Sequence, residues 1–361
     1  MAALPPGSTI GIIGGGQLGR MLAMAAARLG YRTIILEPQA DCPAAQVANE
    51  QIVAAYDDAN ALAELAAKAA VVTYEFENVP VAAAEKLAAS VPVYPPPRAL
   101  EVSQDRLVEK RFLNDIGVPT ARYKAIDEEH QLGSGLAAID GNGFLKTRRM
   151  GYDGKGQMVF RDATPRDAVG VFDKMGNVPL ILEEMVGFKR EISVIAARSI
   201  DGSCIAYDAA ENVHRDGILR SSTVPAGSRK DTQIAAREYA IVILHQLQYV
   251  GVIGVEFFDA KDQLVVNEIA PRVHNSGHWT EAACAVSQFE MHIRCVAGHP
   301  LASTRRHSDC VMENLIGDDV EKVPDLLAED GLVLHLYGKA QARPGRKMGH
   351  FTRLLPLTPE T

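Results

Sequence analysis

The amino-acid sequence predicts a protein of several domains in the mixed α/β and α+β class. Its 361 residues, of which 47% are hydrophobic, exceed the size at which a single core usually divides. The first hundred residues alternate short apolar runs with amphipathic ones, which is typical of parallel βαβ units. Further along, two apolar runs are joined by a short polar loop, which indicates a β-hairpin.

The N-terminal segment, residues 1–105, is predicted to form a Rossmann-like domain with a parallel sheet. Three consecutive prolines, Pro95 to Pro97, interrupt its pattern, and a helical pattern that restarts near Gln104 stops before Pro119. We therefore place the first domain boundary in this region. The expected strands are Thr9 to Ile13, Thr33 to Leu36 and Val71 to Tyr74, with helices that begin at Gln17 and Asp57.

Two further domains are predicted downstream. Residues 120–184 form a small lid, with strands around Leu145 and Val159, a helix from Pro165 and a strand at Leu180. Residues 185–361 form a mixed α+β domain. Its expected elements are strands Glu191 to Ala197, Val252 to Phe258 and Leu264 to Ile269, helices Thr232 to Gln248 and Glu281 to Val296, and short strands near Val333 to Gly338.

The composition excludes several classes of protein. A net charge of -8 argues against a general nucleic-acid-binding face, which requires clustered lysine and arginine. The five cysteines are odd in number and lack paired spacing, so we expect reduced thiols in a cytoplasmic protein. We find no apolar run of the roughly 20 residues that span a bilayer and no signal peptide. We therefore expect neither a nucleic acid nor a membrane as a partner.

The first glycine motif, GGGQLG, follows the first predicted strand. Gly14, Gly16 and Gly19 match the GxGxxG spacing, and Glu37 ends the next strand where a dinucleotide fold places its ribose-binding acid. Free amides at the start of a helix face an anion, and any phosphate meets that requirement. The motif therefore allows a nicotinamide cofactor, another phosphate, or a tight turn without a ligand.

A second glycine-rich loop lies in the predicted lid, where Lys146 is followed by RRMGYDGKGQ. Its flexible amides and ammonium groups suit a triphosphate, although Asp-Gly is also a common hairpin turn. An acidic strand end at Glu183 and Glu184, with Glu191 beyond it, favours a nucleotide. There the backbone can hydrogen-bond an adenine edge, and a carboxylate can accept from ribose hydroxyls.

Two carboxylates occupy the predicted hairpin GVEFFDAKDQLVVNEIAPRVHN. If the loop from Asp259 to Gln263 has an odd number of residues, positions of equal parity share one face of the sheet. Glu256 and Glu268 would then point the same way, with Asn267 beside them. Two close like charges are unfavourable without a cation, and oxygen ligands suit magnesium with nucleotide phosphates. Taken singly, each carboxylate also fits a purely structural role.

The order of these motifs resembles the ATP-grasp superfamily. Within it, GGGQLGRM, TYEFENV, RVHNSGHWT and GRKMGH are similar to the 5-(carboxyamino)imidazole ribonucleotide synthases of purine biosynthesis. The resemblance runs from about Ile10 to Phe351. It implies an ATP-grasp fold with an N-terminal Rossmann-like domain, a lid, and a C-terminal α+β domain that carries a small β extension.

The resemblance also implies an activity, namely the ATP- and bicarbonate-dependent carboxylation of the amine of 5-aminoimidazole ribonucleotide through carboxyphosphate. It implies magnesium held by Glu256 and Glu268, and a homodimer. The ATP site implied is Arg106, Lys146, Gly151, Tyr152, Asp153, Gly154, Lys155, Gly156, Gln157, Glu183, Glu184, Met185, Val186, Glu191, His214, Asn267 and Glu268. The ribonucleotide site implied is Gln17, Leu18, Glu75, Tyr152, Asp153, Lys347 and Arg353.

Catalytic roles also follow from the resemblance. Arg272, His274 and Asn275 would bind bicarbonate or its phosphorylated product, as a guanidinium and two hydrogen-bonding groups suit a planar oxyanion. Asp153 is our candidate to accept the amine proton, with Tyr152 and Lys347 orienting the intermediate. The alternatives are a nicotinamide-dependent oxidoreductase, a related ligase that formylates or joins amino acids, and a non-catalytic nucleotide-binding module. The first explains only the first glycine motif and Glu37.

Overall fold

The computed structural model describes residues 3–151, 156–261 and 263–358. Its first sheet is parallel, with the strand order β3-β2-β1-β4, as predicted for the N-terminal domain. The strands are β1 (Thr9–Ile13), β2 (Arg32–Leu36), β3 (Glu50–Ile52) and β4 (Val71–Tyr74), and the helices are α1 (Gln17–Arg28), α2 (Ala59–Lys68) and α3 (Val81–Ala88). The carboxyl ends of β1 and β4 are adjacent, so the segments that follow them lie together.

Two helices lead from this sheet into the rest of the chain, α4 (Pro97–Ser103) and α5 (Arg106–Asp115). Pro97 begins α4 rather than interrupting a helix, because proline fits the first helical turn, where no amide partner is needed. Asp105 caps α5 by accepting from the amides of Leu107 and Val108. This cap starts a new helix at Arg106 where one pattern from Gln104 was predicted.

The lid consists of an antiparallel sheet of order β5-β8-β6-β7. Its elements are β5 (Tyr123–Ile126), α6 (Glu129–Ala138), β6 (Gly143–Thr147), β7 (Gln157–Phe160), α7 (Val171–Lys174) and β8 (Leu180–Glu184). The helix predicted from Pro165 was wrong in kind, since Pro165–Ala168 is a 3-10 turn and α7 begins only after Gly170. Gly170 has φ 69°, a left-handed conformation that ends a regular helix.

The third sheet has the strand order β14-β13-β9-β11-β12-β15-β17-β16, and β10 pairs with β9. Helix α8 packs against β9 and β13 on one face, and α10 packs against the same two strands. The elements are β9 (Phe188–Arg198), β10 (Cys204–Ala206), β11 (Ala210–Arg215), β12 (Ile218–Val224), α8 (Lys230–Gln246), β13 (Gly251–Ala260), β14 (Leu264–Ala270), α9 (Thr280–Ala283), α10 (Gln288–Val296), β15 (Asp309–Ile316), α11 (Val323–Leu326), β16 (Leu332–Leu336) and β17 (Lys347–Leu355).

The helix predicted from Glu281 to Val296 is two helices. Cys284 adopts an extended backbone at the end of α9, and the Ser287 side chain caps α10 by accepting from the amide of Glu290. Strands β11 and β12 were missed, because polar side chains such as those of AENVHR conceal the strand pattern. Within the described ranges, no helix is long and apolar enough to cross a membrane.

Candidate functional site

A cavity of about 630 Å³ is lined by residues of the second and third sheets, by the segments that follow β1 and β4 of the first sheet, and by helices α1 and α5. The structure brings most of the predicted site residues together there. These are Gln17, Leu18, Glu75, Arg106, Lys146, Gly151, Gln157, Glu183, Glu184, Val186, Glu191, His214, Glu256, Asn267, Glu268, Arg272, His274, Asn275 and Lys347. Because they come from distant parts of the chain, their convergence supports one functional site.

The amides of the first glycine motif already bind carboxylates of the protein. Glu75 accepts from the amides of Gly16 and Gly19, at 2.5 and 2.6 Å, and so occupies the start of α1. Glu37 accepts from the amide of Gly15 at 2.9 Å and from the Tyr56 hydroxyl. An anionic pyrophosphate would meet these carboxylates instead of free amides. This geometry is contrary to a nicotinamide site of the Rossmann type.

A buried cluster of charges joins the lid to α5. The Lys146 ammonium lies 3.1 Å from Glu183 Oε2, and the Lys110 ammonium lies 3.3 Å from the same oxygen. Burial alone would raise the pKa of Glu183, but the two ammonium groups outweigh it and lower the pKa to about 2. Burial also lowers the pKa of Lys146 against the effect of Glu183. Glu183 therefore fixes Lys146 at the cavity wall.

Replacing Glu183 by glutamine is expected to lower the free energy of unfolding by about 3 kcal/mol at pH 7. The folded pKa lies below the unfolded one, so the contribution is present above about pH 4.3 and is lost as the pH falls toward 2. Urea unfolding at pH 7 and pH 3 measures the difference. The neighbouring Glu184 pairs with Arg122, which is 60% exposed, so Glu184→Gln serves as a control with little effect. Equal losses for both variants would contradict the assignment.

The paired carboxylates lie directly opposite each other on β13 and β14. Near the turn, however, Asp259 pairs with Leu264, a register that joins positions of opposite parity. A β-bulge beyond Phe257 leaves Asn267 without a direct partner and brings Glu268 opposite Glu256. Glu256 and Glu268 therefore share one face of the sheet, as predicted, but the bulge and not the loop length is the reason.

The two carboxylates form an unfavourable pair in the absence of a cation. Burial and then the charge of Glu268 raise the pKa of Glu256 to about 7. Arg106 lies 3.3 Å from Glu268, and the His274 imidazole lies 3.7 Å from Glu256. Carboxylate oxygens in this arrangement fit a hard divalent cation such as Mg²⁺.

An ion pair links the N-terminal domain to the loop that follows β14. The Arg272 guanidinium donates to Glu77, which follows β4, and the pKa of Glu77 falls to about 2 because this charge outweighs burial. Burial, followed by the charge of Arg272, holds the pKa of His274 well below its usual value, so its imidazole is neutral. The Asn275 amide exchanges two hydrogen bonds with that of Asn314, at 2.8 and 2.9 Å. The loop thus presents one cation and two neutral polar groups to the cavity.

Several predicted site residues do not line the cavity. Gly156, Met185 and Arg353 are not among the described residues that line the cavity. Arg353 lies about 20 Å along β17 from Lys347, and its guanidinium binds Glu313 and Glu329. The remaining predictions fall on residues outside the described ranges: Tyr152, Asp153, Gly154 and Lys155.

Some residues of the site were not predicted from the sequence. Glu77 and Lys110 bind predicted site residues, and Glu109 accepts from the amide of Ile269 at 2.6 Å. Burial raises the pKa of Glu109 to about 8 against the opposite effect of Lys110. The run of charged residues in DRLVEKR was the available signal, because a buried carboxylate and ammonium are rare without a partner or a function.

Fold and site together define an ATP-grasp enzyme. Three family models match the sequence. The ATP-grasp domain matches residues 111–289, the ribonucleotide synthetase preATP-grasp domain matches residues 7–104, and the phosphoribosylaminoimidazole carboxylase C-terminal domain matches residues 310–359. The chain belongs to the N5-carboxyaminoimidazole ribonucleotide synthase family. The enzyme of this name from Brucella melitensis is 64% identical over 357 residues, which cover 99% of both chains. That from Pseudomonas aeruginosa is 45% identical and covers 95% of this chain and 93% of its own.

Solved structures of the family match over nearly the whole chain. A synthetase in complex with ADP has a TM-score of 0.93 and 41% identity, and the match covers 98% of this chain and 94% of the other. The Aspergillus clavatus enzyme, in complex with ADP and 5-aminoimidazole ribonucleotide, has a TM-score of 0.90 and 30% identity, over 97% and 94%. The expected fold and family are therefore confirmed.

Proposed function

We propose that this protein carboxylates the amine of 5-aminoimidazole ribonucleotide to 5-(carboxyamino)imidazole ribonucleotide, using ATP and bicarbonate and releasing ADP and phosphate in purine biosynthesis. The observation that carries the proposal is one cavity that is lined by Lys146, by the opposed carboxylates of Glu256 and Glu268, and by the Arg272 loop, which is residues 272–275. Family membership over 99% of the chain supports the same substrate.

Bicarbonate requires activation because hydroxide is a poor leaving group. When an oxygen of bicarbonate attacks the γ-phosphorus of ATP, ADP leaves, and the carbon of the resulting carboxyphosphate carries phosphate as a good leaving group. The substrate amine then attacks this carbon, or carbon dioxide released from it, and loses one proton. Phosphoryl transfer requires mainly positioning and charge neutralisation, so no covalent bond to the protein is needed.

ATP is assigned to the wall formed by the lid and β14. Lys146, held by Glu183, and Arg106 supply positive charge for the phosphates, while His214 lies 2.6 Å from Glu191, a carboxylate suited to ribose hydroxyls. Mg²⁺ is assigned to Glu256 and Glu268, because their opposed carboxylates supply oxygen ligands. When bound there, Mg²⁺ neutralises charge on the transferring phosphate.

The Arg272 loop is assigned to bicarbonate and carboxyphosphate. A guanidinium can bind a planar oxyanion in a bidentate manner, and the neutral His274 imidazole can accept or donate one hydrogen bond. Asn275 is held by Asn314, so its amide cannot rotate away from the cavity. Together these side chains fix the carbon atom for attack.

The aminoimidazole ribonucleotide is assigned to the wall formed by α1 and the start of β17. Gln17, Leu18 and Lys347 line this part of the cavity, and Glu75 holds the start of α1. Tyr152 and Asp153 stay candidates for binding the substrate, and Asp153 stays the candidate for accepting the amine proton. An Asp153→Asn variant with normal carboxylation and normal ATP binding would remove that role.

Three further expectations concern the molecule as a whole. We expect a homodimer, for which a gel-filtration mass near two chains is the test. We also expect a cytoplasmic enzyme, consistent with five cysteines that are all unpaired. Small molecules, not nucleic acids or membranes, are its expected partners.

The proposal is tested by ADP release in the presence of Mg²⁺ and ATP, with bicarbonate and aminoimidazole ribonucleotide each added or left out. We expect ADP formation that is matched by loss of the free amine only when both are present. Amine loss without bicarbonate, or ADP bound without turnover, would contradict the assigned reaction. Formate and free amino acids, offered in place of bicarbonate, test the related ligase alternatives.

A further inference from the structure

The segment that carries Arg272, His274 and Asn275 is not part of a strand, although its geometry must be fixed for it to bind a small anion. Glu77 binds the Arg272 side chain and Asn314 binds that of Asn275, while the buried side chain of Gln288 holds the backbone between them at His274. Gln288 is the first residue of α10 and is completely buried. Gln288 is not among the described residues that line the cavity.

The Gln288 amide satisfies both backbone groups of His274. Its Oε1 accepts from the His274 amide at 2.9 Å, and its Nε2 donates to the His274 carbonyl at 2.7 Å. This is the pairing that a neighbouring strand would provide, here supplied by one side chain. A reversed amide would place a donor against a donor, so the orientation is determined by the two contacts.

The surroundings allow the Gln288 side chain little freedom. The backbone N–H of Gln288 donates to the Thr280 hydroxyl at 3.0 Å, and this hydroxyl donates to the Gly277 carbonyl at 2.6 Å. A side chain at Gly277 would meet Gln288 Oε1 at 2.8 Å and Ile195 at 2.5 Å, so only glycine fits beneath the amide. On the opposite side, the His274 side chain packs over Gly254, where a Cβ would lie only 2.6 Å from that of His274.

We infer that Gln288 is a positioning residue that fixes the backbone of His274 and thereby aims Arg272, His274 and Asn275 at bicarbonate. The inference rests on the proposed function, because it assigns a support to the proposed bicarbonate loop. In this assignment Arg272, His274 and Asn275 contact the substrate, and the Gln288 side chain supports them. Gln288 acts only through the Arg272 loop and has no part in binding ATP.

The test compares Gln288→Met, which keeps the volume but loses both hydrogen bonds, with Gln288→Glu, which keeps an acceptor and loses the amide donor. Gln233→Met is the matched control: the Gln233 amide also donates to two backbone carbonyls, those of Ala226 and Ser228, away from the cavity. Steady-state kinetics with each substrate varied, ADP binding by calorimetry and thermal unfolding are measured for all three variants.

For Gln288→Met we expect kcat/KM for bicarbonate to fall about 10²-fold, as misplacement of a binding group by about 1 Å would cause. ADP affinity should stay within about twofold of the wild-type value, and Gln233→Met should keep its bicarbonate KM. If Gln288→Met does not fold, Gln288→Glu provides the test. We then expect a smaller fall in kcat/KM for bicarbonate, again without a matching loss of ADP affinity.

An unchanged kcat/KM for bicarbonate in a folded Gln288 variant would overturn the inference. The inference would also be overturned if Gln288→Met and Gln233→Met lost the same thermal stability and both showed the same fall in kcat/KM for ATP as for bicarbonate. A wild-type protein without bicarbonate-dependent turnover would instead refute the proposed function, and the inference with it.

Discussion

Replacement of Glu268 by glutamine is expected to lower kcat/KM by on the order of 10³-fold at saturating Mg²⁺. A glutamine oxygen carries no charge, so the cation loses one of its two opposed carboxylates and the phosphates lose part of their charge neutralisation. Arg106 also loses its partner in the cavity. The exposed Glu64→Gln variant, which breaks only a surface ion pair with Lys68, is the control and should keep full activity.

Replacement of Glu256, the other carboxylate of the pair, is expected to stabilise the metal-free protein. Because the folded pKa of Glu256 is about 7, above that of an exposed glutamate, its ionisation destabilises the metal-free protein as the pH rises through 7. Glu256→Gln should therefore raise the melting temperature in EDTA at pH 8, and much less at pH 5, where Glu256 is already protonated. Mg²⁺ should no longer stabilise this variant. A lower melting temperature at pH 8, or full stabilisation by Mg²⁺, would refute the assigned site.

Replacement of Arg272 by methionine is expected to have the second large effect. Loss of the guanidinium should lower kcat/KM by on the order of 10²- to 10³-fold, because the developing oxyanion loses a charged donor. The variant should also lose about 3 kcal/mol of stability, since Glu77 is left in a largely buried site without its partner. This value is at the low end for buried pairs because the Glu77 side chain is 30% exposed.

A double variant separates the two consequences. Glu77→Gln together with Arg272→Met removes both charges, so we expect most of the stability to return while carboxylation stays low. Urea unfolding and steady-state kinetics on the single and double variants provide the measurement. Recovery of activity along with stability would mean that Arg272 acts only by joining the domains.

The sequence was sufficient for those parts of the site whose chemistry lies in short motifs. The glycine-rich lid loop, the acidic end of β8 and the hairpin carboxylates each lie within one short segment of the chain, and most of their described residues line one cavity. Strands β1 and β4 also have their predicted bounds, because uninterrupted apolar runs between turn residues leave few alternatives.

What could not be predicted depends on partners that are distant in sequence. Glu77 and Arg272 are 195 positions apart, and neither strand pattern nor helix period relates them. The bulge that aligns Glu256 with Glu268 arises from how β14 pairs with β13, which loop length alone cannot reveal. The first glycine motif was ambiguous for a similar reason, because the carboxylate that binds its amides, Glu75, lies 56 residues beyond Gly19.

The central claim is that ATP phosphorylates bicarbonate in this cavity. The most direct test mixes freshly dissolved bicarbonate, fully labelled with ¹⁸O, with the enzyme, Mg²⁺, ATP and aminoimidazole ribonucleotide, and analyses the inorganic phosphate by mass spectrometry. We predict one labelled oxygen in each phosphate, since the attacking oxygen of bicarbonate stays with phosphorus when the bond to carbon breaks. Unlabelled phosphate, formed in step with ADP and carboxylated product, would contradict the account.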